Sequence, residues 1–310
     1  MNISILGAGA MGSLFGGLLA ESGQQVTLLD INDAHLEAIR SHGLRLATDS
    51  GGRQIQGLHA CRPEQARGQP DLLLVLTKTQ HTEQALRSIA AHIGRHTLVL
   101  TLQNGLGNAE ALCRHVAPEQ VMIGMTTWPG DMVGPGHVHS HGLGVVRVLA
   151  LDGTERPDAL EVAAVLDAAG LRCTLDPNMW TTIWEKVAFN AALNSLCAAT
   201  GCTVGQLDAR AEGPALVQAI VLEVLAVAQA QGIAVDTQRC LDTVFYAIAH
   251  HRAHKPSMLQ DVLAGRATEI GSINGEVLAR AREAGIAVPH TETLLGLLRL
   301  IEARAAGEPA

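Results

Sequence analysis

Aromatic residues are scarce in this 310-residue chain and make up only 2% of it. Aliphatic side chains and alanine must therefore fill any core. The 47% hydrophobic and 17% charged content indicates a folded protein rather than a disordered one. Basic residues are also few, 22 against 30 acidic, which leaves a net charge of −8. This balance argues against a nucleic-acid-binding surface, which requires clustered lysine and arginine. It does not exclude a small anionic substrate.

Secretion and membrane signals are also lacking. None of the six cysteines forms a CxxC pair, so we expect reduced thiols. The apolar N-terminal stretch has no basic segment before it and is interrupted by glycines, which is not typical of a signal peptide. No run reaches the roughly 20 uninterrupted apolar residues of a membrane span. These features predict a cytoplasmic protein with no membrane partner.

Short β-type runs alternate with helical stretches in the first half of the chain, and after Pro177 the pattern is helical. Strands separated by helices form parallel sheets, and glycine-rich alternation over 124–149 indicates antiparallel additions. We therefore predict a Rossmann α/β domain with a mostly parallel sheet over 1–176, followed by an all-α domain over 177–310. The predicted strands cover 2–6, 25–29, 71–76, 97–101 and 171–175, and the later helices cover 180–199, 214–231, 237–251, 268–284 and 292–305.

A glycine-rich turn directly follows the first predicted strand and leads into a helix. Its residues are Gly7, Ala8, Gly9, Ala10, Met11 and Gly12. A strand, a GxGxxG turn and a helix in this order are typical of dinucleotide-binding domains. The first glycine allows the tight turn, the second lets the backbone approach a pyrophosphate, and the third lets the helix pack on the strand. The alternative is a tight turn that binds no ligand.

Asp30 ends the second predicted strand, eighteen positions after Gly12. A carboxylate there can accept hydrogen bonds from the adenosine ribose and would repel the 2′-phosphate of NADP. Ile31 and Asn32 supply no cation to offset that repulsion, so this position favours NAD. The alternative is an aspartate that caps the next helix.

A polar stripe runs along an otherwise apolar helix over 180–199. Lys186, Asn190 and Asn194 are spaced four residues apart and so share one face. A buried lysine is costly and its pKa moves readily, so such a residue is typically kept for chemistry or paired with a carboxylate. The alternative is a narrow solvent-exposed edge.

Further polar residues stand out in both halves. Lys78 and Asn104 follow two predicted parallel strands, at the edge where open α/β sheets bind ligands, although Asn104-Gly105 could equally be a turn. Glu269 interrupts an apolar helical pattern. The pattern places His137, His139 and His141 along one strand face and the histidines at 250, 251 and 254 on a helix. Neither group has cysteine or carboxylate partners at metal-site spacing, so we predict no metal.

Taken together, these motifs resemble the ketopantoate reductase (2-dehydropantoate 2-reductase) family from one end of the chain to the other. The matching blocks are Gly7–Gly12, Leu76-Thr77-Lys78, Gln103-Asn104-Gly105, Trp184-Glu185-Lys186 with Asn190 and Asn194, Ser257-Met258-Leu259-Gln260-Asp261, Thr268-Glu269-Ile270 and Asn274-Gly275.

The resemblance implies reduction of ketopantoate, or a similar branched 2-oxo acid, by NADPH or NADH in pantothenate biosynthesis. It implies that Lys186 is the general acid and that Glu269 is a catalytic carboxylate near cofactor and substrate. It also implies that Asn190, Asn194 and Ser257 bind the substrate and that Lys78 and Asn104 contact the cofactor. A protonated lysine could supply both the proton and the charge that a developing alkoxide needs.

The sequence departs from the family at three places. Asp30 stands where the usual NADP-dependent member has an arginine nearby, His254 replaces a substrate-binding asparagine, and Trp128-Pro129 replaces a smaller or more polar pair. Two alternative functions stay open: a β-hydroxyacid dehydrogenase, and a cofactor-binding regulator without catalysis. The apolar C-terminal helices are compatible with a homodimer.

Overall fold

The computed structural model describes residues 1–307, which divide into two compact units. The first unit comprises Met1–Gln103 and Asn108–Met179. The second, here called the helical unit, comprises Asn104–Gly107 and the chain from Trp180 onward. The division into domains at 176/177 stays a prediction.

The first unit contains two sheets. Eight strands form the main sheet in the order β12-β11-β8-β7-β6-β1-β2-β5, and four form a smaller sheet in the order β4-β3-β10-β9. The strands are β1 (Asn2–Leu6), β2 (Gln25–Leu29), β3 (Leu44–Thr48), β4 (Gly51–Ile55), β5 (His59–Cys61), β6 (Leu72–Val75), β7 (Leu98–Thr101), β8 (Val121–Thr126), β9 (Asp131–Gly134), β10 (His137–His139), β11 (Val146–Ala150) and β12 (Cys173–Leu175).

Helices complete the first unit and make up most of the helical unit. They are α1 (Ala10–Glu21), α2 (Asp33–His42), α3 (Thr82–Ser88), α4 (Asn108–Cys113), α5 (Pro157–Leu166), α6 (Met179–Thr200), α7 (Glu212–Ala230), α8 (Thr237–His250), α9 (Ser257–Leu263), α10 (Glu276–Glu283) and α11 (Pro289–Ala306).

The main sheet is mostly parallel, which confirms the predicted Rossmann class. β1 pairs in parallel with β2 and with β6, and β6 pairs in parallel with β7. The predicted antiparallel addition is also present, because β11 runs antiparallel to β8. β6 is buried along its whole length, as expected for a central strand with both faces covered.

The smaller sheet was not predicted. β3 and β4 form an antiparallel pair, and β10 pairs in parallel with β3. Only His137 and His139 lie on β10, so the prediction that His141 shares this strand face is wrong. The prediction that the second histidine group lies on one helix is also wrong, because α8 ends at His250 and His254 follows it.

The helical unit has its own core, which confirms the predicted all-α second part. Trp184, Leu193 and Val221 are among its most buried residues. One helix, α7, is long and apolar enough by composition to cross a membrane, but this is weak evidence, because core helices of soluble proteins pass the same test. Its buried face, which includes Val217 and Val224, packs in this core.

Candidate functional site

The glycine turn between β1 and α1 has the shape that the sequence predicted. Gly7 has φ +97°, and a Cβ there would lie 2.7 Å from the Thr77 backbone nitrogen. A Cβ on Gly12 would lie 2.0 Å from the Gly7 carbonyl oxygen. Both positions therefore exclude a side chain, the first by conformation and both by close packing.

Gly9 differs from the other two glycines, because a Cβ at this position would point into open space. Apart from the adjoining backbone, no heavy atom lies within 4 Å of that Cβ position. Gly9 is the N-cap residue of α1, and the first turn of this helix contains no acidic residue. The open space, the first-turn amides, which have no acceptor within the helix, and the positive end of the helix dipole suit a pyrophosphate. Residues Gly7–Gly12 thus fit a dinucleotide, although their contact with one stays a prediction.

Asp30 follows β2, and one of its carboxylate oxygens accepts two backbone hydrogen bonds that form a local turn. Its Oδ1 accepts hydrogen bonds from the amides of Ile31 at 2.8 Å and Asn32 at 2.9 Å. The alternative that Asp30 caps α2 is wrong, because the cap is Asn32, whose Oδ1 accepts from the His35 amide. Asp30 is therefore held in place at the end of the strand.

Two further predicted positions lie where β6 and β7 end. Lys78 begins the 3₁₀ turn that follows β6. Gln103 follows β7, and its Nε2 donates to the Thr77 carbonyl at 2.6 Å and to the Thr82 hydroxyl at 2.7 Å. Sequence reasoning did not anticipate that Gln103 joins these two strand ends.

Two of the three residues of the predicted stripe on α6 are buried, and the third, Lys186, is half-buried. Asn190 and Asn194 are each only 7% exposed, so the alternative of a solvent-exposed edge is wrong for them. Within residues 1–307, neither side chain has a hydrogen-bond partner. Because buried amides normally find partners, two such groups on one face are suited to a polar ligand.

Lys186 is the charged member of the stripe. Burial lowers the pKa of Lys186 from its usual 10.5 to about 8, and the neighbouring charge of Glu269 opposes this shift. At this value the side chain is mostly an ammonium group at neutral pH and can release its proton readily. This combination is suited to general acid catalysis near neutral pH.

Glu269 also contacts the short segment that connects β7 to α4. Asn104 Nδ2 donates to Glu269 Oε2 at 3.3 Å, and the Leu106 amide donates to the Ser272 carbonyl at 2.8 Å. The conformation at Gly105 is a turn with φ +86°, and a Cβ there would lie 2.3 Å from the Ser272 carbonyl oxygen. The predicted cofactor residue Asn104 therefore contacts the predicted catalytic carboxylate.

A π-helical turn, Gly271–Gly275, lies next to Glu269 and replaces part of the single helix predicted over 268–284. Inside it, Asn274 is fully buried, accepts a hydrogen bond from Ser195 Oγ at 2.7 Å and donates to the Ala191 carbonyl at 3.3 Å. Sequence reasoning missed Ser195, although a serine inside an apolar helix was a usable signal.

The remaining predicted residues lie at or near the start of α9. Ser257 is the first residue of this helix, and both it and His254 are exposed. Met258, the next residue, has its thioether Sδ 3.8 Å from the hydroxyl oxygen of Ser195 on α6. The start of α9 therefore lies beside the part of α6 that carries Asn194.

Two other sequence features have different outcomes. Trp128, a departure from the family, is buried in the first unit, and its indole N–H donates to the Leu171 carbonyl at 2.9 Å. This residue is therefore part of the core. Within the described part of the chain, no group of three or more potential metal ligands is present.

Comparison with known proteins places these features in one family. The family model "Ketopantoate reductase PanE/ApbA" matches residues 3–153, and "Ketopantoate reductase PanE/ApbA C terminal" matches residues 178–302. A 2-dehydropantoate 2-reductase of Streptococcus pyogenes is 34% identical over 308 residues, covering 98% of each chain.

Solved structures that are similar to this chain include members of the same family. The crystal structure of 2-dehydropantoate 2-reductase from Geobacter metallireducens matches with a TM-score of 0.91 at 34% identity, covering 97% of this chain and 99% of that one. D-mandelate dehydrogenase in a ternary structure with NADH and anilino(oxo)acetate matches with a TM-score of 0.94 at 30% identity, covering 99% and 100%.

Proposed function

Because the chain belongs to the ketopantoate reductase family, we propose that it reduces ketopantoate to pantoate in pantothenate biosynthesis. Membership also makes it an NAD(P)-dependent oxidoreductase. The observation that carries the proposal is the polar face of α6, where Lys186, with its lowered pKa, is followed by two buried amides that have no hydrogen-bond partner within residues 1–307.

In this proposal the first unit binds the dinucleotide. Gly7–Gly12 and the start of α1 bind the pyrophosphate. Asp30 accepts hydrogen bonds from the ribose, and Lys78 contributes a positive charge to cofactor binding. The bound cofactor supplies the hydride. The open space at Gly9 is the structural feature that supports this assignment.

The helical unit binds the 2-oxo acid and provides the proton. Lys186 donates a proton to the ketone oxygen as the carbonyl is reduced, and its charge stabilises the developing alkoxide. Asn190 and Asn194 donate hydrogen bonds to the substrate's oxygen atoms, and Ser257 and His254 contact it from the start of α9. Glu269 keeps Lys186 protonated through its opposing charge.

NADH is the preferred cofactor in this proposal. The Asp30 carboxylate is fixed by two backbone amides, so it cannot easily turn away from a 2′-phosphate. The similarity to D-mandelate dehydrogenase, whose structures contain NADH, supports the same preference.

A second candidate substrate is an aryl 2-oxo acid. The high structural similarity to D-mandelate dehydrogenase favours it, as does His254 at the position of a substrate-binding asparagine. The proposed cytoplasmic location and homodimer rest on composition and on the apolar C-terminal helices.

One experiment tests these proposals together. The purified protein is assayed with ketopantoate, phenylglyoxylate and unbranched 2-oxo acids, each with NADH and with NADPH, at the nicotinamide absorbance. We expect the highest kcat/KM with ketopantoate and NADH. A preference for phenylglyoxylate would establish the second candidate instead, and cofactor binding without turnover of any acid would contradict both.

A further inference from the structure

A buried chain of hydrogen bonds connects the smaller sheet to the glycine turn. The Arg45 amide on β3 donates to the Gly136 carbonyl at 2.8 Å, and the Gly136 amide donates to His35 Nδ1 at 3.0 Å. His35 Nε2 lies 3.0 Å from Ser13 Oγ, and Ser13 Oγ donates to the Ala8 carbonyl at 2.8 Å. All of these residues belong to the first unit.

The direction of each bond follows from the two fixed ends. A backbone amide can only donate, so His35 Nδ1 must accept and carries no proton. The neutral ring therefore has its proton on Nε2 and donates it to Ser13, whose single hydroxyl proton is directed to Ala8. Burial lowers the pKa of His35, although the charge of Asp30 opposes the shift, so the neutral ring persists at neutral pH.

The last bond fixes the orientation of one peptide unit in the glycine turn. In a trans peptide the carbonyl and the following amide point in opposite directions. Holding the Ala8 carbonyl toward Ser13 therefore directs the Gly9 N–H the other way. Gly9 is the residue beside which the structure leaves open space.

We infer that His35 and Ser13 are positioning residues for the dinucleotide, and that they act by locking the Ala8–Gly9 peptide in the orientation that binds phosphate. Both side chains are buried, His35 at 2% exposure and Ser13 at 0%, so neither touches the cofactor. The inference rests on the proposed function, because it assumes that the glycine turn binds NADH.

The chain offers a matched control in the same unit. Ser4 Oγ lies 2.9 Å from His92 Nε2, and both residues are buried, but within residues 1–307 neither side chain is hydrogen-bonded to the glycine turn. Ser4→Ala and Ser13→Ala thus each break a buried serine–histidine bond, and only the second removes a hydrogen bond from the Ala8 carbonyl.

The experiment measures NADH affinity by fluorescence titration, together with steady-state kinetics and thermal unfolding, for wild type, Ser13→Ala and Ser4→Ala. We expect Ser13→Ala to raise the Kd and KM for NADH about threefold to tenfold, since an unlocked peptide spends only part of its time in the binding orientation. The kcat at saturating NADH and the KM for the 2-oxo acid should stay within about twofold, because a locking contact does not act on the chemical step. Ser4→Ala should leave the Kd for NADH unchanged.

Two substitutions of His35 separate its roles. His35→Asn can keep an acceptor near the Nδ1 position but loses the donor to Ser13, whereas His35→Gln can keep a donor near the Nε2 position. We expect His35→Asn to weaken NADH binding as Ser13→Ala does, and His35→Gln to restore most of the affinity.

The outcomes distinguish this inference from the proposed function. If wild type bound neither NADH nor NADPH, both would be wrong. If wild type bound NADH and Ser13→Ala bound it equally well, or if Ser4→Ala weakened binding as much, only the inference would be wrong. Equal losses in His35→Asn and His35→Gln would also overturn it. If the His35 variants do not fold, Ser13→Ala still tests the inference, because it removes only one oxygen atom.

Discussion

Among single residues, Lys186 has the property on which the proposed reaction depends most, a pKa lowered to about 8. The substitution Lys186→Met removes the ammonium group and keeps most of the side-chain length. We expect kcat to fall by about two to four orders of magnitude, the usual contribution of a general acid. The Kd for NADH should change little, and Lys186→Arg should not restore turnover, because a guanidinium does not release its proton. Turnover within a few-fold of wild type would remove Lys186 from the mechanism.

The same lowered pKa predicts how the reaction depends on pH. Lys186 must be protonated to reduce the ketone, so kcat/KM for the 2-oxo acid should be level well below pH 8 and fall as the pH rises through about 8, while kcat/KM for oxidation of the hydroxy acid should rise over the same range. The measurement is a pH profile of kcat/KM in both directions at saturating cofactor. A reduction rate that stayed level to pH 10 would mean that another group provides the proton.

Asp30 makes a prediction about cofactor choice. Asp30→Asn keeps the Oδ1 atom that accepts the amides of Ile31 and Asn32, but it removes the negative charge. We expect kcat/KM for NADPH to rise by about fivefold or more, the equivalent of about 1 kcal/mol of relieved repulsion. The KM for NADH should rise only slightly. If the ratio of kcat/KM for NADPH to kcat/KM for NADH did not change, Asp30 would not face the 2′ position.

At the scale of elements, the glycine turn allows its structural and binding roles to be separated. Gly9→Ala places a methyl group in open space, whereas Gly12→Ala places one 2.0 Å from the Gly7 carbonyl. We expect Gly9→Ala to keep the wild-type unfolding temperature and to weaken NADH binding by about tenfold or more, which corresponds to about 1.4 kcal/mol. Gly12→Ala should lower the free energy of unfolding by about 1–3 kcal/mol, the usual cost of overpacking. Thermal unfolding and NADH titration of both variants check this, and full NADH affinity in Gly9→Ala would argue against a pyrophosphate at this position.

Elements with strong local signals were predictable from the sequence. The segment β1–turn–α1 and the helix α6 were predicted within one or two residues, because the glycine spacing and the long apolar pattern are local features. The β3–β4 pair was missed because its strands are partly exposed and β4 has no apolar run. The π-turn Gly271–Gly275 was missed for another reason: its conformation coincides with a hydrogen bond from the distant Leu106, which no local pattern reveals.

The same limit applies to the candidate site. The spacing of Lys186, Asn190 and Asn194 was readable, since it follows from helix periodicity alone. The contact between Asn104 and Glu269 joins residues 165 positions apart and could be known only from the fold. His35 gave no sequence signal, because one histidine in an amphipathic helix does not indicate its partners.

For the whole molecule, the buried histidines predict a loss of stability in mild acid. Burial lowers the pKa of both His35 and His92 in the folded protein. As the pH falls below about 6.5, the unfolded chain takes up protons that the folded chain does not, so the free energy of unfolding decreases until the folded-state pKa is passed. Each histidine can contribute at most about 1.4 kcal/mol per pH unit.

Urea unfolding at pH 7.5, 6.5 and 5.5 measures this loss. The variant His92→Asn should show a shallower decrease than wild type between pH 6.5 and 5.5, because one of the two groups is gone. His59→Asn, which replaces an exposed histidine, is the control and should follow the wild-type curve. If the free energy of unfolding decreased equally with pH in all three proteins, His92 would not contribute to the loss of stability in acid.

The placement of three polar groups on one straight helix has a consequence for altering this enzyme. Lys186 and Asn194 are eight residues apart, so their backbone positions are about 12 Å apart along a rigid rod. That spacing cannot be adjusted without unwinding α6, whereas His254 is an exposed residue before α9, so its side chain can be exchanged without changing a helix. To change the size of the acid that the enzyme accepts, residues in the connection before α9 should therefore be randomised, and α6 should be left unchanged.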